Sequence, residues 1–277
     1  MKNKLIYLIS SLTLLAASAH AVEFCGKPAQ GEILVGRQDG LSRVVFNGKD
    51  LRLSPRGEFL LAFGRDDTSP QSLIMVTDQN QIVRLPLDVA PTAWDIQRLK
   101  GVPPRKVTPP DSDLRDIERE RSLIRAGIAG DTAEAYWRQG FIEPVKGRIS
   151  GSFGGQRIMN GIPKNPHAGM DIAVPIGTEV KASSDGVVTL AAADLFYSGN
   201  VVVLDHGYGL HTIYAHLSEI KVKRGDIVKQ GDIIALSGKT GRVTGPHLHW
   251  GASYNGIKFN PQSLLNMNKT DDFCFNL

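Results

Sequence analysis

The sequence predicts a mainly β protein: a C-terminal antiparallel β-sheet domain, preceded by a small β-sandwich and a short helical linker. Short runs rich in β-branched residues recur in both halves of the chain. Tight turn signals separate them, and helical periodicity is confined to the stretch between the halves.

The N-terminal residues stand apart from this pattern. Lys2 and Lys4 make a positive n-region, Leu5 to Ala17 is an almost unbroken apolar run, and Ala19 to Ala21 read small-x-small. Residues 1–21 are therefore expected to be a cleaved signal peptide, the run being too short to span a bilayer comfortably. No stable membrane insertion is expected after cleavage; an uncleaved N-terminal anchor is the alternative. The expected location is the periplasm, with an extracellular or wall-associated site as the alternative. Cys25 and Cys274 are the two cysteines of the chain, and in an oxidising compartment such a pair reads as a disulfide before a metal site. Two unpaired thiols are the other possibility. The formal charge of +4 becomes +2 when Lys2 and Lys4 leave, and no basic stripe with interleaved aromatics occurs, so no nucleic-acid partner is expected.

Residues 22–90 read as the sandwich. "GEILVG", "SRVVF", "LRLS", "EFLLAFG", "SLIMVT" and "QIVRLPL" are the strands, and the Asn-Gly of "FNGKD" marks a tight hairpin. No catalytic cluster lies here, which suggests a spacer or binding module, with a regulatory protein as a partner for it. Residues 91–140 form the linker. Its Pro-rich, basic start is expected to be extended. Leu114, Ile117, Ile124 and Ile128 then predict a helix, and Asp131 with Glu134, spaced as a capping box, a second short one. The charged faces of both are expected to be solvated.

Residues 141–268 read as an all-β domain, with 269–277 as a tail. Of the 7 histidines, all but His20 lie in this domain. "PHAGMD" places His167 and Asp171 four apart in a segment that Pro166 and Gly169 keep from being helical. "HLH" places His247 and His249 two apart. In extended chain both spacings put side chains on one face. Nitrogen ligands with one carboxylate suit zinc, and three protein ligands leave a position for water.

These residues also carry a resemblance. "GRISGSFGGQR", "NPHAGMDIAVPIGTEVKASSDGVV", "VVLDHGYGLHTIYAHLS" and "VKRGDIVKQGDIIALSGKTGRVTGPHLHW", in that order, resemble the lysostaphin/LytM-type zinc metallopeptidases over roughly residues 141–265. The resemblance implies a β-sheet domain with a long groove and one zinc per chain. It also implies hydrolysis of peptide crosslinks or stem peptides of bacterial peptidoglycan. His167, Asp171 and His249 would be the zinc ligands, and His216 and His247 the non-ligand catalytic histidines. His206, in "DHG", is expected to be structural, with support of the groove as the alternative. His211 is expected on the face of its strand opposite Thr212, Tyr214 and His216. Two other functions fit parts of the sequence. One is a wall-binding regulator of another peptidoglycan hydrolase, autoinhibited or non-catalytic. The other, a carrier domain suggested by the Val-Gly-Asp repeat, is disfavoured because Lys239 lacks the neighbours of a modifiable lysine.

Overall fold

A computed structural model of the chain describes residues 22–68, 70–101 and 110–267. The expected signal peptide, linker residues 102–109 and Cys274, one half of the expected disulfide, lie outside the described residues. Among the described residues no helix is long and apolar enough to cross a membrane.

Before the helix come strands β1 (Glu23–Cys25), β2 (Ile33–Arg37), β3 (Leu41–Phe46), β4 (Lys49–Leu51), β5 (Glu58–Ala62), β6 (Gln71–Thr77), β7 (Ile82–Leu87) and β8 (Ile96–Leu99). They form two antiparallel sheets, β1-β2-β5 and β4-β3-β6-β7, with β8 apart. Asn47 and Gly48 turn the β3–β4 hairpin, both at positive φ, as the Asn-Gly signal requires. Leu34, Phe59 and Leu61 of the first sheet pack against Val44, Phe46 and Leu73 of the second. The alternate residues Ile33, Val35, Leu60 and Ala62 point the other way, into the core of the C-terminal domain. A strand buried on both faces has no solvent side, which is why "EFLLAFG" is apolar almost throughout. The expected spacer is thus docked through a whole sheet face.

Helix α1 (Leu114–Gly127) follows a 3-10 turn at Asp111–Asp113. Ile117 is buried, and Leu123, Ile124 and Ile128 pack on Leu190, Val201, Val203 and Ala215. Leu114, expected on the packed face, is 50% exposed. The charged face is not wholly solvated either, because Glu120 is buried. The second helix does not form; Tyr136–Gln139 make a 3-10 turn with no side-chain cap. Tertiary partners take the backbone groups a helix would use. The Trp137 N–H donates to the His206 carbonyl, and the Thr132 N–H donates to the Asp205 carboxylate.

The remaining strands are β9 (Arg148–Gly151), β10 (Gln156–Met159), β11 (Ile162–Pro163), β12 (Gly169–Ala173), β13 (Glu179–Lys181), β14 (Gly186–Leu195) and β15 (Gly199–Asp205). After them come β16 (Leu210–Leu217), β17 (Glu219–Ile220), β18 (Ile227–Val228), β19 (Ile233–Leu236), β20 (Leu248–Tyr254) and β21 (Ile257–Phe259). The large sheet runs β18-β14-β15-β16-β20-β12-β9, with β21 also on β20. One face carries Val202, Leu204, Tyr214, Leu248 and Trp250 into a core shared with Val180, Ile234 and Ala235 of the small sheet β13-β19-β17. On the other face α1 covers the β14–β15 end. The linker is not free where it is described. β8 lies parallel to β10, and Trp94 packs edge-on against Phe153, beside the segment that leads to His167.

Candidate active site

The uncovered end of the large sheet brings the sequence-predicted residues together. Strand register does most of the work: Asp171 of β12 is paired with His249 of β20 on one side and with Gly151 of β9 on the other, while His249 is paired with Ala215 of β16. Residues directly opposite across strands present their side chains on one face. Leu248 and Trp250 point into the core, so His249 points out of it. Two glycines make room. A Cβ at Gly151 would stand 2.7 Å from the Asp171 carboxylate, and one at Gly169 would stand 2.7 Å from the His249 ring.

His167 enters from the segment before β12. Its Nδ1–H donates to the Ser152 carbonyl at 3.0 Å, which leaves Nε2 facing the site. His167 Nε2, Asp171 Oδ1 and His249 Nδ1 form a near-equilateral triangle with sides of 3.0, 2.9 and 3.1 Å. Ligand atoms at about 2.0–2.1 Å from a tetrahedral zinc would be roughly 3.3 Å apart, so a small expansion of this triangle seats the ion. The donor chemistry fits as well. Three atoms that bear lone pairs and face one another repel unless a cation or a proton sits between them.

His216 and His247 flank the triangle. Their ring centroids are 4.7 Å apart, and that of His216 is 5.9 Å from His249. His216 Nδ1–H donates to the Thr240 carbonyl at 3.0 Å and His247 Nδ1–H to the Gly245 carbonyl at 2.9 Å. Each ring therefore keeps Nε2 for the site, and that of His247 lies 3.6 Å from Asp171 Oδ1.

The expected strand register fails here. Thr212 and Tyr214 do share a face, but it is the core face. His216 escapes it because its backbone is left-handed, φ 63°, and the β15–β16 register shifts between Asn200 and Val202. His211 lies on the same side of β16 as Ile213 and Ala215, yet it is sealed at the far end against Gly130 and Asp205. Its Nδ1–H donates to the Gly209 carbonyl. His206 is also wholly buried: Nδ1–H donates to the Asp185 carbonyl at 2.6 Å, and Nε2 meets the Thr212 hydroxyl at 2.7 Å.

The electrostatics follow from these contacts. Burial opposes the charge of Asp171, but hydrogen bonds from His167 and His249 outweigh it and hold the carboxyl well below the usual carboxylate range. Burial also works against a charged His167, and the Asp171 carboxylate reverses this and raises its pKa. His249 is lowered, chiefly by burial. His216 is pushed down to about 4, by burial first and then by His249 and His247, so it is neutral at neutral pH.

Sequence reading missed the residues that orient the rings. The carbonyls of Ser152, Thr240 and Gly245 carry no side-chain signal. Glu120, which anchors the loop under His216, did leave one: it sits three residues after Ile117 and four before Ile124, on the packed stripe of α1.

The comparisons with known proteins agree with this geometry. Residues 165–261 match the family model of Peptidase family M23. The chain is 48% identical over 122 residues to the peptidoglycan DD-endopeptidase ShyA of Vibrio cholerae, covering 42% of this chain and 28% of that protein. It is 47% identical over 98 residues to the DD-carboxypeptidase/endopeptidase Mpg of Neisseria meningitidis, covering 35% of this chain and 22% of that protein. The chain thus spans under a third of the length of these curated relatives. A solved Pseudomonas aeruginosa structure assigned to peptidase M23 superposes with a TM-score of 0.68 at 27% identity, covering 88% of this chain and 97% of that one. That likeness reaches beyond the metal-site domain into the N-terminal half.

Proposed function

We propose that this chain, which carries a metallopeptidase domain of family M23, is a zinc-dependent endopeptidase of bacterial peptidoglycan that works in the periplasm. The observation that carries the reading is the triangle of His167, Asp171 and His249 with two ring-oriented histidines beside it. These three residues would hold the zinc. When bound, zinc supplies a water acidified to a pKa of about 7 and Lewis-acid polarisation of the scissile carbonyl.

The chain's own groups do the rest. Nε2 of His216, which is neutral, or Nε2 of His247 takes a proton from the attacking water. The resulting imidazolium donates to the developing oxyanion or to the leaving amine. Carbonyls fixed on each Nδ1–H keep both lone pairs aimed at the site, so no reorganisation is needed during the reaction. Asp171, held anionic, contributes negative charge next to the His167 and His249 donors, which favours retention of a dication.

The bond we assign is the D-alanyl–diaminopimelate crosslink. Relatives named DD-endopeptidase support it. The test is mass spectrometry of muropeptides after digestion of purified peptidoglycan by the zinc-loaded chain. Crosslinked dimers should disappear and uncrosslinked tetrapeptide monomers accumulate. Cleavage elsewhere would overturn the bond, and intact wall after incubation with the zinc-loaded chain would leave a wall-binding regulator instead.

A further inference from the structure

Resting on that reading, we propose that Glu120 of α1, outside the residues matched to the family, is a positioning residue for His216. Its carboxylate is buried and spends its acceptor capacity on one loop. Oε2 accepts the Tyr197 N–H at 2.6 Å, while Oε1 accepts the Ser198 N–H at 3.1 Å and the Ser198 hydroxyl at 2.6 Å. Charge-assisted bonds to two successive amides fix the peptide plane between them.

That loop holds His216 in two ways. The Ser198 carbonyl accepts the His216 N–H at 2.8 Å, the bond that anchors its left-handed backbone. A non-glycine residue at positive φ persists only where its surroundings over-determine it. The loop also grips the segment that orients the ring. Asn200 N–H donates to Thr240 Oγ1, Arg242 N–H donates to the Tyr197 carbonyl, and Gly199 lies against Thr240 so closely that no Cβ would fit. The Thr240 carbonyl accepts the His216 Nδ1–H. Backbone and ring of His216 are therefore both referred to the loop that Glu120 anchors. The rest of α1 contributes apolar packing through Leu123 and Ile124, continued by Ile128 at its C-cap. One helix thus combines a structural stripe with a single carboxylate aimed at the loop beneath the site.

The experiment compares Glu120→Ala and Glu120→Gln with Ile124→Ala, which loosens the same helix but removes none of the hydrogen bonds that hold the loop. For the full chain, kcat and KM on a crosslinked muropeptide, zinc content and thermal stability are measured. The His216 ring N–H resonance is followed in parallel, assigned by its loss in His216→Gln. Misplacing a catalytic group by about an ångström costs up to roughly 10²-fold. Glu120→Ala should lose on the order of 10- to 100-fold in kcat at unchanged KM and full zinc, with the His216 signal broadened or shifted. Glu120→Gln keeps one acceptor oxygen and should fall between Glu120→Ala and the parent. Ile124→Ala should lose stability while kcat and the resonance stay put. The proposal fails if Glu120→Ala leaves kcat and the resonance at parental values, or if Ile124→Ala changes both equally. Should the parent cleave no muropeptide, the assigned function fails instead, and the resonance alone decides the role of Glu120. If Glu120→Ala does not fold, Glu120→Gln carries the test.

Discussion

Two sets of histidines lie on and beside the strands of the large sheet, and they differ in what the protein does with the second ring nitrogen. At the open end, His167, His216 and His247 each give Nδ1–H to a carbonyl and keep Nε2 for the site. At the closed end, His206 spends both nitrogens inside the protein, on the Asp185 carbonyl and the Thr212 hydroxyl. Thr212 in turn meets the Tyr214 hydroxyl, which lies 2.6 Å from that of Ser183, so the bond chain runs through the core. The residue type is the same in both places. A histidine becomes chemically useful when one nitrogen fixes the ring and the other faces the open site; His211, fixed through Nδ1 on the Gly209 carbonyl, is buried and its Nε2 does not reach that site.

The sharpest way to break this comparison is at the ligands. His249→Ala should strip most of the zinc and abolish hydrolysis, because it opens one corner of the triangle. Elemental analysis that found full zinc in this variant would remove His249 from the ligand set. The next effect is smaller and leaves the metal in place. His216→Ala and His247→Ala should each retain zinc yet lose on the order of 10²-fold in turnover, the scale of a positioned acid–base group. Loss of zinc in either would make it a ligand.

The closed end should respond in stability and not in turnover. His211→Ala should stay within a few-fold of the parent in crosslink cleavage, since the ring is sealed against Gly130 and Asp205. A dead His211→Ala with full zinc and an intact fold would erase the distinction between the two sets. His206 adds a pH dependence. Burial is the main cause that lowers its pKa from 6.5 to about 4 in the folded protein. Between these values the unfolded chain binds the extra proton, so stability is complete above about 6.5 and falls as pH drops towards 4. The limit is roughly 3 kcal/mol for this one group. Urea unfolding at pH 7 and pH 4.5 should show the loss, and His206→Gln should flatten it. An equally steep decline in His206→Gln would assign the effect to other groups. The smallest effect on turnover belongs to the cysteines. We propose that Cys25 and Cys274 are bridged in the exported protein, so labelling of denatured, unreduced chain should find no free thiol. Two labelled thiols per chain would dismiss the bridge.

Much of this was legible in the residues. The turn signals and β-branched runs gave the mainly β fold, and Asn47-Gly48 gave its hairpin, because these preferences act within a few residues. The pairs His167–Asp171 and His247–His249 pointed to the candidate site, because in extended chain alternate side chains share one face. Other features depended on contacts far apart in sequence. The expected helix at 131–140 lost its backbone groups to Asp205 and His206, and Glu120 found its partners 77 and 78 residues away. His216 shows the division best. Its presence in "YAHLS" could be read directly, but regular alternation would have buried it beside Tyr214. Only the bulge, the left-handed backbone and the Ser198 and Thr240 carbonyls turn it into the site. Local periodicity follows from covalent geometry and sterics, so the sequence alone determines it. A deviation from that periodicity costs free energy, and only the assembled tertiary contacts can supply it.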